Sequence, residues 1–260
     1  FCLSRGLGDV YKRQHLCVVM SDSYFPIYQK IFDRTLPKEF DSVNILHVRD
    51  HNSSPGAVGE KSFKHINYKK LEFVAKQLIA HHGDNLLVLD VDIVCFRNIK
   101  DEINSLLEDN DMVLQRNPPN SKNSPYGIGV WGLQCSTKNI SFFGREILPR
   151  SQALLITQEE WEEIHEKQIS IPLPLMYLLN GEMDYYDGDQ CVLNEALLNS
   201  ETGHDIDVSF LPDTYALYGV EPENPKDIAL YHAISGGRTV EDKSQTLIDA
   251  YERMKSRIES

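Results

Sequence analysis

The chain has 260 residues, with 39 acidic against 26 basic side chains and a formal charge of −13. That length suits one large α/β domain with a well-buried core. The acidity argues against binding a nucleic-acid backbone, which needs a basic surface, but leaves room for a nucleotide diphosphate if a cation supplies positive charge.

Five cysteines (Cys2, Cys17, Cys95, Cys135 and Cys191) are far apart and form no CxxC pair, which argues against a structural zinc site. Cys17, Cys95 and Cys191 sit among apolar residues and read as buried thiols. Their odd, unclustered number favours a reducing, cytoplasmic compartment. No apolar run approaches the roughly 20 residues of a membrane span. The stretch from Phe1 to Gln14 resembles a translated sequencing-adaptor junction and is set aside, leaving residues 15–260 as the expected domain.

His15 to Met20 reads as a buried strand. Ser21-Asp22-Ser23 then opens a helix near Tyr24 to Leu36, with Ser or Asp as its N-cap. Ser42 to Val48 is a second strand, and Asp50 to Lys61 a polar loop of functional length. A helix follows over Phe63 to His82, its apolar face formed by Leu71, Val74, Ala75 and Leu78, and Gly83 ends it. Asn85 to Leu89 (NLLVL) is a continuous apolar run, the mark of a central parallel strand covered on both faces. Asp90 and Asp92 stand where that strand ends, the place where open α/β sheets bind ligands.

Asp101 to Leu107 predicts a short helix and Met112 to Gln115 a strand. Gly127 to Cys135 reads as a strand lying close to a ligand or another backbone. Lys138 to Leu148 and Gly188 to Leu198 are predicted helices, and Glu159 to Glu166 an acidic surface helix. Val208 to Leu211 and Ile228 to Tyr231 are late strands. The chain ends in an amphipathic helix with Leu247, Tyr251, Met254 and Ile258 as its stripe and Thr239 with Asp242 as a capping box. Alternating strands and helices imply a single domain around a mainly parallel sheet flanked by helices.

Three groups of residues carry chemistry. In Asp90-Val91-Asp92, carboxylates two apart on extended backbone point the same way. They repel each other beside an apolar strand, a conflict that a hard divalent ion such as Mn²⁺ or Mg²⁺ resolves. The bland alternative is a solvated turn. His232, after Leu230 and Tyr231, stands at a strand end where it could complete a metal shell. The Ser235-Gly236-Gly237-Arg238 segment behind it would let backbone and guanidinium approach a diphosphate; taken alone, a core histidine and an ordinary turn explain both. Asp189-Gln190 opens a helix, and Asp189 alone reads as a helix cap.

Order and spacing together resemble the GT-A glycosyltransferases, and within them glycosyltransferase family 8. LLVLDVDIVCFRNI (Leu86 to Ile99) resembles the DxD strand, and Asp189-Gln190-Cys191-Val192-Leu193-Asn194 the DQxxxN segment. His232 with Arg238 resembles HxxGxxK, Lys70-Leu71 the KL pair, and Gly129-Val130 the N-A/S-G-V segment, with Ile128 where that pattern has Asn. The resemblance implies a Rossmann-like GT-A domain and retaining sugar transfer from a nucleotide sugar, a UDP-sugar, to a glycan, lipid-linked or protein hydroxyl. It implies Asp90, Asp92 and His232 as ligands of Mn²⁺ or Mg²⁺. Lys70, Gly236, Gly237 and Arg238 would lie near the diphosphate or donor sugar, and Asp189 and Gln190 beside the reacting carbon. Two other classes stay open: a metal-dependent nucleotidyltransferase, disfavoured because Ser21-Asp22-Ser23-Tyr24 is neither glycine-rich nor basic, and a non-catalytic sugar-nucleotide-binding protein on the same fold.

Overall fold

A computed structural model describes residues 12–49, 61–117, 124–156, 159–160, 163, 188–212, 215–216, 228–233 and 239–259. Its strands are β1 (Gln14–Ser21), β2 (Ser42–Val48), β3 (Asn85–Leu89), β4 (Ile93–Cys95), β5 (Met112–Arg116), β6 (Tyr126–Gln134), β7 (Val208–Phe210), β8 (Tyr215–Ala216) and β9 (Leu230–His232). Six of them form the central sheet in the order β2-β1-β3-β6-β5-β7. The β1–β2, β1–β3 and β5–β7 pairings are parallel, and β6 alone runs against its neighbours.

The apolar runs are explained by burial on both faces. Along β1 and β3 successive side chains alternate between two cores. Leu16, Val18, Leu87 and Leu89 pack with Val113, Val130, Ile99 and Ile103 on one side. Cys17, Leu86 and Val88 pack on the other with Leu71, Val74 and Leu78 of a long helix, here α2 (Lys61–Ala80), and with Phe142, Val192 and Ala196. The first helical segment, α1 (residues 22–35), passes through 3₁₀, α and π turns. Other helices are α3 (Lys100–Leu106), α4 (residues 137–155, of mixed winding), α5 (Asp189–Asn199), the single turn α6 (Glu201–His204) and α7 (Val240–Glu259).

The structure departs from the sequence reading in several places. A second sheet, β4-β9-β8, stands beside the first; only β9 overlaps a predicted strand (Ile228 to Tyr231), the other two being too short to show periodicity. With Ile27, Ile31 and Val94 it builds a third core that seats Leu247, Ala250 and Met254 of α7. The strand over Asn85–Leu89 is central but antiparallel to β6 on one side. Ser21 makes no capping bond to α1; its hydroxyl pairs with Ser23 at 2.8 Å instead. Gly188, not Asp189, occupies the N-cap of α5. Cys17 and Cys95 are buried thiols, whereas Cys191 is only half-buried. The Thr239–Asp242 capping box forms reciprocally, at 3.1 and 3.2 Å, and Gly83 closes α2 at φ +95°. Residues 50–60, most of the stretch 159–166 expected to be an acidic helix, and Gly236, Gly237 and Arg238 lie outside the described residues. No helix among the described residues is long and apolar enough to cross a membrane.

Candidate functional site

The carboxyl ends of β1 and β3 open onto a cleft of about 350 Å³, lined by residues of β1, α1, α2, the β3–β4 connection, β5, β6, α5, β9 and α7. Its floor is the Asp90–Asp92 turn, fixed by backbone on both sides. Asp90 N donates to Gly129 O, and Ala233 N donates to Asp92 O, each at 2.9 Å. The second bond ties the turn to the end of β9, which delivers His232.

His232 Nε2 lies 3.2 Å from Asp92 Oδ1 and 3.9 Å from Asp90 Oδ2. Each carboxylate has its other oxygen on a lysine: Asp90 Oδ1 accepts from Lys70 Nζ at 2.6 Å, and Asp92 Oδ2 from Lys243 Nζ at 2.9 Å. Asp90 Oδ2, Asp92 Oδ1 and His232 Nε2 therefore turn toward one another, and a donor atom from each residue lies within 4.8 Å of the others. Two carboxylates and an imidazole make an oxygen-rich set that suits Mn²⁺ or Mg²⁺. Gly129 makes room for the imidazole, since a Cβ there would stand 2.0 Å from His232 Cε1.

Lys70, from the middle of α2, also reaches Asp189 Oδ2 at 2.9 Å, an ion pair rather than an aligned hydrogen bond. Burial works against its charge, but Asp189 and Asp90 outweigh burial and raise its pKa. Burial alone would also raise Asp92; His232 and Lys243 overcome it and hold that carboxyl well below the usual range. Asp90 goes the other way: burial, reinforced by Asp92, raises it despite Lys70. Asp189 is the first residue of α5 and Gln190 the next; both line the cleft, and Gln190 Nε2 donates to Ser124 Oγ at 3.2 Å. Asn194, one turn on, clamps Tyr126 by donating to its carbonyl at 2.7 Å and accepting from its N–H at 3.0 Å. That clamp docks α5 on β6 and so places the two cleft residues.

Of the residues singled out from sequence, the fold gathers Lys70, Asp90, Asp92, Asp189, Gln190 and His232 at one cleft. Three more escaped notice. Lys243 projects from α7 onto Asp92 and donates to the Tyr24 hydroxyl at 3.0 Å. Burial raises the Tyr24 pKa, so the phenol stays protonated. Gln115 lines the cleft from the end of β5. Lys243 could not be read from the sequence because a charged residue in an amphipathic helix looks like its solvated face.

No protein-family model matches the sequence, and no curated protein matches it. Among solved structures, the chain is similar to WbbM, a bifunctional glycosyltransferase, with a TM-score of 0.51 and 11% identity over 98% of this chain and 53% of that one. It thus spans about half the length of WbbM. It is also similar to a glycosyltransferase involved in glycosylation of the PBCV-1 major capsid (TM-score 0.48, 11% identity, 91% of this chain and 99% of that one). GlyE of Streptococcus pneumoniae TIGR4 is another (TM-score 0.47, 15% identity, 93% and 64%). The likeness to WbbM establishes the fold as one used by glycosyltransferases.

Proposed function

We propose that the chain transfers a sugar from a nucleotide-diphosphate sugar, a UDP-sugar, to a hydroxyl of a glycan, lipid-linked or protein acceptor, with Mn²⁺ or Mg²⁺ and with retention of configuration. One observation carries this reading. Asp90 Oδ2, Asp92 Oδ1 and His232 Nε2 face one another in a cleft at the carboxyl ends of parallel strands, while lysines hold the remaining carboxylate oxygens. These three residues would hold the ion, which supplies Lewis-acid charge to a leaving diphosphate.

The chain's own groups do the rest. Lys70 orients Asp90 and Asp189 together from a buried position. Lys243 fixes Asp92 and, with Lys70, offsets two of the three cleft carboxylates. Asp189 and Gln190 stand on the wall beside that centre, where a carboxylate and an amide dipole can stabilise positive charge building on the reacting carbon. The fold shared with WbbM supports the reading.

Release of nucleotide diphosphate from a panel of nucleotide sugars in Mn²⁺ tests it. Asp189→Asn and Gln190→Ala should each cut release by about 100-fold, the scale of a lost transition-state contact, with nucleotide affinity unchanged. A lower melting temperature with normal turnover per folded molecule would instead make Asp189 a residue of the helix start only.

A further inference from the structure

Gln115 is a fully buried carboxamide on the cleft wall, yet neither its Oε1 nor its Nε2 has a hydrogen-bond partner among the described residues. Buried amides are paired with few exceptions, so one left without a protein partner on a cleft wall has hydrogen-bonding capacity to spare for a bound molecule. The backbone around it is shaped for the purpose. Leu114 pairs with Trp131, but Gln115 pairs with Gly127, so residues 128–130 bulge out of the ladder. This bulge carries the Gly129 carbonyl that holds Asp90. It also presents the Ile128 carbonyl to Lys70 Nζ at 3.4 Å.

A Cβ on Gly129 would stand 3.1 Å from Gln115 Oε1 and 2.4 Å from His232 Nδ1. The two atoms are therefore neighbours across the bulge, and His232 Nδ1 is itself buried without a partner among the described residues. Asn67, from α2, is a third residue with such an atom on the same cleft, its Nδ2.

We propose that Gln115 is a specificity-determining residue that binds hydroxyls of the transferred sugar, with Asn67 as a second donor. This rests on the reading of the cleft as a nucleotide-sugar site. A carboxamide both donates and accepts, and so does a hydroxyl. A diphosphate only accepts and would leave Oε1 unpaired. A nucleoside base lies beyond the ribose, and the ribose hydroxyls are present in UDP itself, so the affinity for UDP separates both from the hydroxyls of the transferred sugar.

The test compares UDP with whichever of UDP-glucose, UDP-galactose and UDP-N-acetylglucosamine binds the wild type most tightly, by calorimetry in Mn²⁺. Gln115→Leu should leave UDP affinity within about twofold and weaken the UDP-sugar about 10-fold, the usual scale of one lost hydrogen bond to a ligand. Donors lacking one sugar hydroxyl should include one that weakens the wild type similarly and the variant hardly at all. The ligand-free variant should melt at a higher temperature, because an unpaired buried amide has been replaced by an apolar group; Gln115→Met serves if leucine does not fold. Equal loss for UDP and UDP-sugar, or full sensitivity of the variant to every deoxy donor, overturns the proposal. A wild type that binds no nucleotide sugar removes the underlying reading instead, and the proposal with it.

Discussion

Asp84 stands immediately before β3 and Asp90 immediately after it, separated by the strand's five residues. Each belongs to a trio of potential metal ligands: His15, His81 and Asp84 at one end, Asp90, Asp92 and His232 at the other. At the first end the polar groups have satisfied one another. His15 bonds Ser42 Oγ at 2.8 Å and Asp84 Oδ2 at 3.1 Å, and Arg13 adds an ion pair. Burial would raise the Asp84 carboxyl, but His15 and Arg13 bring it below its ordinary value. The His15 and His81 rings stack at 3.7 Å and 19°, which adds a ring contact to that set of polar pairings.

At the second end Asp90 is raised, and His232 Nδ1 and the Gln115 amide stay unpaired among the described residues. Similar residue types thus make a self-satisfied cluster at one end of a strand and one with unpaired buried atoms at the other. Native folds concentrate such unmet local demands at functional sites.

The contrast can be broken by mutation. Largest is the effect on turnover. Asp92→Asn should reduce sugar transfer by at least about 100-fold through lost charge stabilisation, whereas Asp84→Asn should leave initial rates within about twofold. Comparable losses would erase the distinction. Next comes Lys243→Met, which leaves Asp92 buried with His232 alone and should cost about 2–3 kcal/mol in denaturant melts. Gly129→Ala forces the His232 ring to move and should cost about 1–3 kcal/mol, as overpacked sites do, together with metal affinity; normal metal affinity would show that the ring's place is immaterial.

Smallest is the pH signature. The folded pKa of Asp84 is depressed, so its stabilisation is present above the unfolded value of about 3.9 and is lost as the pH falls through the folded value. Asp90 is raised, so its contribution is full below about 3.9 and is lost as the pH rises through the folded value. At pH 7, Asp84→Asn should therefore destabilise by about 1 kcal/mol. Asp90→Asn should change stability by less than about 1 kcal/mol, because relief of the desolvated charge beside Asp92 is offset by Lys70 losing one of its two carboxylate partners. Equal losses of melting temperature in the two variants would contradict the comparison.

Local sequence carried much of this. The apolar run before Asp90 revealed both the strand and the end that opens on the cleft, and the Leu71–Leu78 stripe fixed the face of α2 that aims Lys70. What stayed hidden depends on contacts between distant segments. Lys243 meets Asp92 across 151 positions, through a helix docked on a small sheet of which only β9 overlaps a strand legible in the sequence. Gln115 looked like the last residue of an apolar strand, because a slip in strand register leaves no local mark. The contact between Gly129 and His232 was equally invisible, although the glycine itself signalled a close approach.

The most direct test is a set of thermal melts of the wild type and Asp92→Asn with a panel of nucleotide sugars, in Mn²⁺ and in EDTA. A ligand that binds only the folded state raises its melting temperature by mass action. The account predicts that at least one nucleotide sugar stabilises the wild type in Mn²⁺ but not in EDTA, and that none stabilises Asp92→Asn. Equal stabilisation in EDTA, or no stabilisation by any nucleotide sugar, would contradict it.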